Sequence, residues 1–106
     1  MKLGIILNTN HPETAWNALR LADKAIGAGN EVNVFLLGKG VEIENIADRT
    51  FDVAGTLASF LDDGGKLLAC STCLKVRQQE TGICPVSNME QLVEMISDSD
   101  KVISLG

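Results

Sequence analysis

The sequence predicts an α/β fold: a doubly wound, mainly parallel five-stranded sheet with helices on both faces. Three observations carry this reading. Short apolar runs alternate along the chain with segments of helical period. The runs are apolar nearly throughout, as in strands buried on both faces. Glycine-rich or polar turns separate the segments, with no repeat, low-complexity tract or linker between them. A chain of 106 residues suits one domain, residues 1–106.

The elements follow in order. Lys2–Asn8 carries the run Leu3-Gly4-Ile5-Ile6-Leu7, the first strand. Thr9-Asn10-His11-Pro12 is polar and ends in a proline suited to a first helical turn. Ala15, Ala18, Leu19, Ala22 and Ile26 then recur at helical spacing, and Gly27-Ala28-Gly29-Asn30 stops that helix. Val32–Leu37 is the second strand, closed by Gly38-Lys39-Gly40. Val41–Asp52 reads mostly as loop, with Val41, Ile43 and Ile46 able to form short helical turns. Asp52 is placed to cap a helix that buries Val53, Leu57, Phe60 and Leu61 and ends at Gly64-Gly65. Lys66–Cys70 is the third strand. Ser71–Gln79 reads as a helix that Ser71 or Thr72 could cap. Gly82–Val86 is a short extended stretch, a minor strand. Ser87-Asn88-Met89-Glu90 fits a capping box, and Met89, Leu92, Val93 and Ile96 form the face of the helix after it. Lys101–Leu105 is the last strand.

Composition excludes several functions. Nine basic against 14 acidic residues give a net charge of −5. Phosphate contacts need clustered Lys and Arg, so direct nucleic-acid binding is not expected, and neither is a polybasic membrane anchor. The apolar run after Lys2 is shorter than the ~7–15 residues of a signal peptide. No run approaches the ~18 residues of a membrane span. A soluble cytoplasmic protein is therefore the expectation. Three cysteines, Cys70, Cys73 and Cys84, do not make a disulfide framework. In a reducing compartment they are core residues, metal ligands or reactive thiols.

In parallel sheets, reactive groups collect at the carboxyl ends of the strands. Here those ends are Asn8–Pro12, Gly38–Gly40, Cys70–Cys73 and Ser87. Cys70 falls where a strand ends and a helix begins, and free amides at such a point favour a thiolate. Lys75 and Arg77 lie one to two turns on and add positive potential. The competing reading is that Cys70 is a small buried hydrophobe. Cys70-Ser71-Thr72-Cys73 is a C-x-x-C, so Cys73 could resolve a sulfenate or persulfide on Cys70 by forming a disulfide. The alternative is one reactive cysteine with a half-buried neighbour. Cys84 would make a third metal ligand, yet only His11 could supply the fourth that structural zinc needs. No metal and no cofactor is therefore expected, and Cys84 is taken as structural. His11 would approach Cys70, as base or charge partner, if the first and third strands are neighbours in the common order 2-1-3-4-5. Otherwise it is a surface residue at a helix cap. Asn8 and Asn10 on the same loop can donate hydrogen bonds or cap. The lone Gly38-Lys39-Gly40 is neither a dinucleotide fingerprint nor a P-loop. Trp16 and Phe35 suit core or subunit contact, and Met89 and Met95 suit helix packing.

These residues carry a family resemblance. Leu67-Leu68-Ala69-Cys70-Ser71-Thr72-Cys73-Leu74-Lys75 resembles the (L/V)-x-A-C-x-x-x-L-(K/R) segment of small DsrE/DsrF-like proteins. Leu3-Gly4-Ile5-Ile6-Leu7, with a helix carrying Ala18-Leu19-Arg20-Leu21-Ala22, is similar to their first β-α unit. Val32–Gly38 with Val41 resembles their second strand and the loop after it, and Cys84-Pro85-Val86-Ser87 with Met89 and Leu92-Val93 resembles the later strand and helix. The resemblance spans nearly the whole chain. It implies a flavodoxin-like sheet, and homotrimers, hexamers or hetero-oligomers. It also implies an acceptor cysteine after the third strand that carries sulfur as a persulfide, for tRNA thiolation or sulfur oxidation. Cys70 falls on that position.

Three functions follow. The first is a sulfur carrier or sulfurtransferase, holding sulfane sulfur on Cys70 between donor and acceptor proteins, with Cys73 and His11 assisting. It needs an exposed, readily ionised Cys70 sulfur. The second is an oligomeric binding or scaffold subunit whose cysteines only pack. The third is a thiol redox or metal protein using Cys70 and Cys73. A sheet this small has few helices to cover two faces, so Trp16 and the apolar residues of Val41–Phe51 are candidates for contact between copies.

Overall fold

A computed structural model describes residues 1–77 and 86–106. The strands are β1 (Lys2–Leu7), β2 (Glu31–Leu36), β3 (Lys66–Cys70), β4 (Val86–Ser87) and β5 (Lys101–Leu105). The helices are α1 (Pro12–Gly27), α2 (Val53–Asp62), α3 (Ser71–Val76) and α4 (Met89–Asp98), with a 3₁₀ segment over Gly38–Asn45. All strand pairs are parallel, in the order β4-β3-β2-β1-β5. The α/β class expected from the sequence is the one observed.

The strand order is not 2-1-3-4-5. β2 lies between β1 and β3, and β5 returns to the far side of β1. The chain steps one way from β1 to β4 and then reverses. Right-handed crossovers therefore set α1 and α2 on one face and α4 on the other. Packing agrees: α1 lies along α2, and α4 lies on β1. A Cβ on Gly4 would stand 2.9 Å from Ser99 Oγ and 3.1 Å from the end of the Met95 side chain of α4, so a larger residue there would make those side chains shift.

Register carries the core across the sheet. Ile5, Val34 and Leu67 form one row and Leu7, Leu36 and Ala69 the next, all buried. Ile6, Phe35 and Leu68 form a row on the opposite face, where only Phe35 is fully covered. From α1, Ala15, Ala18, Leu19 and Ala22 enter the core, and from α2 Val53, Leu57 and Phe60. Burial of a large aliphatic or aromatic side chain contributes roughly 1.5–3 kcal/mol, so these rows outweigh any surface contact described below.

Local signals place most helix ends. Pro12 opens α1 and Asp52 caps α2, accepting the Gly55 amide at 3.0 Å. Three expectations need correction. Residues 41–45 of the segment expected mostly as loop belong to the 3₁₀ segment, the short turns its apolar residues allowed, and Val41 and Ile43 are buried rather than offered to another copy. The capping box at Ser87 does not form. Asn88 caps α4 through the Gln91 amide at 2.9 Å, while Ser87 is a buried strand residue donating to the Gln91 side chain. α4 buries Leu92 and Met95, leaving Met89, Val93 and Ile96 exposed. Among the described residues no helix is long and apolar enough to cross a membrane.

Candidate functional site: a thiol pair at the carboxyl edge of the sheet

β2 and β3 pair in register, so Leu37-Gly38 and Cys70 come together at the carboxyl edge. Gly40 fixes the 3₁₀ segment against β1: a Cβ there would meet the Leu7 carbonyl oxygen at 2.1 Å. Gly38 turns the chain with a φ of +52°, a region that side-chain-bearing residues avoid. The Gly38 amide meets Cys73 of α3.

Cys70 is the last residue of β3 and the first flank of α3. Its residue is only 1% exposed. The exposed sulfur expected from the sequence is therefore not what the structure shows. β3 is an interior strand, and Cys70 is registered against Ser87 of β4, itself buried. The expected link to the helix terminus is also missing, since the Cys70 side chain makes no capping hydrogen bond to α3. Neither Ser71 nor Thr72 is the cap residue; that position is Cys70.

Cys73 occupies the more accessible place. It is half-buried, and both thiols are free. The Gly38 N–H donates to Cys73 Sγ at 3.3 Å. Burial is the main force on this thiol and pushes its pKa up. The Gly38 N–H pulls it back, the hydrogen bond and charge of Cys70 push it up again, and the Arg77 charge lowers it. So Cys70 disfavours ionisation of Cys73, which packs against the buried core that contains Cys70. The positive potential expected from Arg77 is present at the site, but weak beside burial.

Arg77 belongs to a longer chain of contacts. Its Nη1 donates to the Cys73 carbonyl oxygen at 3.1 Å, and its Nε stands 3.4 Å from Glu42 Oε1. Asn10 Nδ2 donates to Glu42 Oε2 at 2.8 Å. Glu42 and the Gly38 amide were not foreseen as site groups. The signal was present, since Gly38 follows the end of β2 and neighbouring parallel strands end side by side.

His11 does not join them. It flanks α1, exposed, with its ring nitrogen 3.4 Å from the Thr14 amide. The intervening β2 sets the ends of β1 and β3 roughly 10 Å apart, two strand spacings. The expectation that His11 acts on Cys70 through strand adjacency is thus removed. Cys84 lies outside the described residues. Among the described residues no three His, Cys, Asp or Glu side chains converge as metal ligands.

Two adjacent thiols can exchange a sulfur atom between them or close a disulfide. Comparison with known proteins bears on the family and the fold. Residues 1–105 match the DsrE/DsrF-like family. An uncharacterized protein of Methanocaldococcus jannaschii is 31% identical, over 98% of this chain and 99% of its own. Another, from Methanopyrus kandleri, is 32% identical, over 86% of this chain and 81% of its own. The crystal structure of the YchN protein from E. coli superposes with a TM-score of 0.83 at 19% identity, over 98% of this chain and 99% of that one. That likeness shows the fold.

Proposed function

The chain belongs to the DsrE/DsrF-like family, a family associated with sulfur relay, and from that premise we propose that it carries sulfane sulfur on the Cys70–Cys73 pair. The observation that supports this most is a partly buried thiol packed on the core that holds a fully buried one, with a backbone amide on the outer sulfur. Cys73 meets the donor. Its thiolate attacks the sulfane sulfur of a donor persulfide, a new S–S bond forms on Cys73, and the donor's S–S bond breaks. The donor thiolate leaves with the electron pair and takes up the proton that Cys73 released. Cys70 then attacks the terminal sulfur, which moves inward as Cys73 recovers its thiol. No oxidant or reductant is consumed. Burial of Cys70 protects the cargo from water and stray thiols, and the reverse sequence delivers it to an acceptor protein.

The Gly38 amide stabilises negative charge on Cys73 during attack and departure. His11 has no part in either step. Should Cys70 attack the inner sulfur instead, a Cys70–Cys73 disulfide and sulfide result, which is the thiol redox alternative.

Incubation with a persulfide donor and intact-mass measurement test the proposal. A gain of one sulfur, about 32 Da, is expected on the native chain. Cys73→Ser should load slowly, and Cys70→Ser should load but lose the adduct quickly. No adduct on any form overturns the sulfur reading, and sulfide release with a disulfide supports the redox one.

The same proposal includes self-association as a trimer or hexamer. α4 carries the exposed apolar stripe Met89, Val93 and Ile96, beside exposed Val86. A second copy of this face is its natural cover, because an apolar stripe matches itself across a symmetry axis.

A further inference from the structure

At 1% exposure Cys70 meets no partner while α3 is closed. One neighbour is the first turn of α3, which Cys70 itself flanks and whose Cys73 packs against the core that contains Cys70. α3 has six residues, and Leu74 is its only buried one. So short a helix holds poorly by itself. Two ties bind it to the 3₁₀ segment among the described residues. One is the Gly38 N–H to Cys73 Sγ contact. The other is Arg77, which grips the Cys73 carbonyl with one nitrogen and Glu42 with another. Glu42 is in turn fixed by Asn10 from the loop after β1. The Arg77 and Glu42 side chains are 24% and 30% exposed, so solvent screens them only in part.

We propose that Asn10, Glu42 and Arg77 form a latch that holds α3 closed over Cys70, so that breaking the Arg77–Glu42 pair exposes the buried thiol. The latch regulates the same thiol site, and its value to the protein rests on the sulfur-carrier reading. An isolated exposed ion pair would carry little weight. This one links two segments through a carboxylate whose other oxygen Asn10 holds, and it anchors the backbone of the thiol-bearing helix.

Asn10 and Glu42 are positioning residues in this scheme, and neither touches a sulfur. The test is site-resolved labelling of the full chain by iodoacetamide, a neutral reagent, with Cys70, Cys73 and Cys84 read separately by peptide mass. Glu42→Gln and Arg77→Gln should each label Cys70 about fivefold faster than the native chain, with an unchanged thermal midpoint. Salt at about 1 M should speed Cys70 labelling in the native chain and leave Glu42→Gln unaffected, a response mere packing would not give. Equal Cys70 rates in all three forms overturn the latch, as does salt-insensitive labelling of native Cys70. If a variant fails to fold, the salt series on the native chain decides alone. Labelling requires no sulfur donor. A working latch without a persulfide adduct sinks the sulfur reading only, and an adduct with no latch response sinks the latch only.

Discussion

Gly38→Ala perturbs the site through the backbone alone. At a φ of +52°, any residue with a Cβ enters the left-handed region, which costs roughly 1–2 kcal/mol. A stiffer unfolded chain returns about 0.4–1 kcal/mol. The new Cβ would stand 2.4 Å from Asn8 Oδ1, the end of a side chain that can turn aside, so the clash adds little. As the turn relaxes, the amide leaves Cys73 Sγ, a loss of about 1 kcal/mol. The net is a destabilisation of about 1–2.6 kcal/mol, or a midpoint lower by about 4–20 °C in a chain of this length. Calorimetry measures the first effect. Alkylation of Cys73 against pH measures the second: its midpoint moves up, because the N–H that favoured the thiolate is gone. Gly38→Asn should lose less, since Asn tolerates this conformation best among residues with a Cβ. Gly40→Ala should lose more, since its Cβ meets the Leu7 backbone oxygen at 2.1 Å. Equal stability of Gly38→Ala and the native chain, with the Cys73 midpoint unmoved, would refute the reasoning.

Cys70→Ala should lower the Cys73 alkylation midpoint, since the hydrogen bond and charge of Cys70 hold that thiol up. Asp63 is held above the usual carboxylate range, first by its hydrogen bond to Asp23, then by the Asp23 charge, burial and Asp62. Asp23 Oδ1 is buried with no hydrogen-bond partner among the described residues, so a proton on Asp63 would offer it a donor. A pKa raised on folding stabilises below the unfolded value and is lost as pH rises through the folded one. Thermal stability should therefore fall as pH climbs from about 4, and Asp63→Asn should flatten that slope. Val93→Asp should leave chain stability within about 0.5 kcal/mol, while weakening self-association by about 2 kcal/mol in sedimentation.

What the sequence made legible was local. Pro12 and Asp52 mark helix starts because their effect depends on the next turn alone. The apolar runs mark strands because burial on both faces leaves no alternation. Strand order was not legible, since it depends on where each crossover lands, and with it went the pairing of His11 with Cys70. The Ser87 capping box failed by one residue because β4 claimed Ser87 for the sheet, leaving Asn88 to cap. Met89, Val93 and Ile96 keep helical spacing with Leu92, yet one helix of ten residues turns only one stripe inward. At the site, the Cys70-x-x-Cys73 spacing foretold the thiol pair. Which thiol is sealed followed from the pairing of β3 with both neighbours, a tertiary fact. Glu42 joined through the 3₁₀ segment, whose turn the period of Val41, Ile43 and Ile46 only hinted at.

The most direct measurement locates the sulfur. After loading from a persulfide donor and removal of excess donor, peptide mass mapping of the native chain should find the extra atom on Cys70. A fresh acceptor thiol should then recover it with no disulfide left behind. Sulfur found only on Cys84, or none retained, would contradict the central claim.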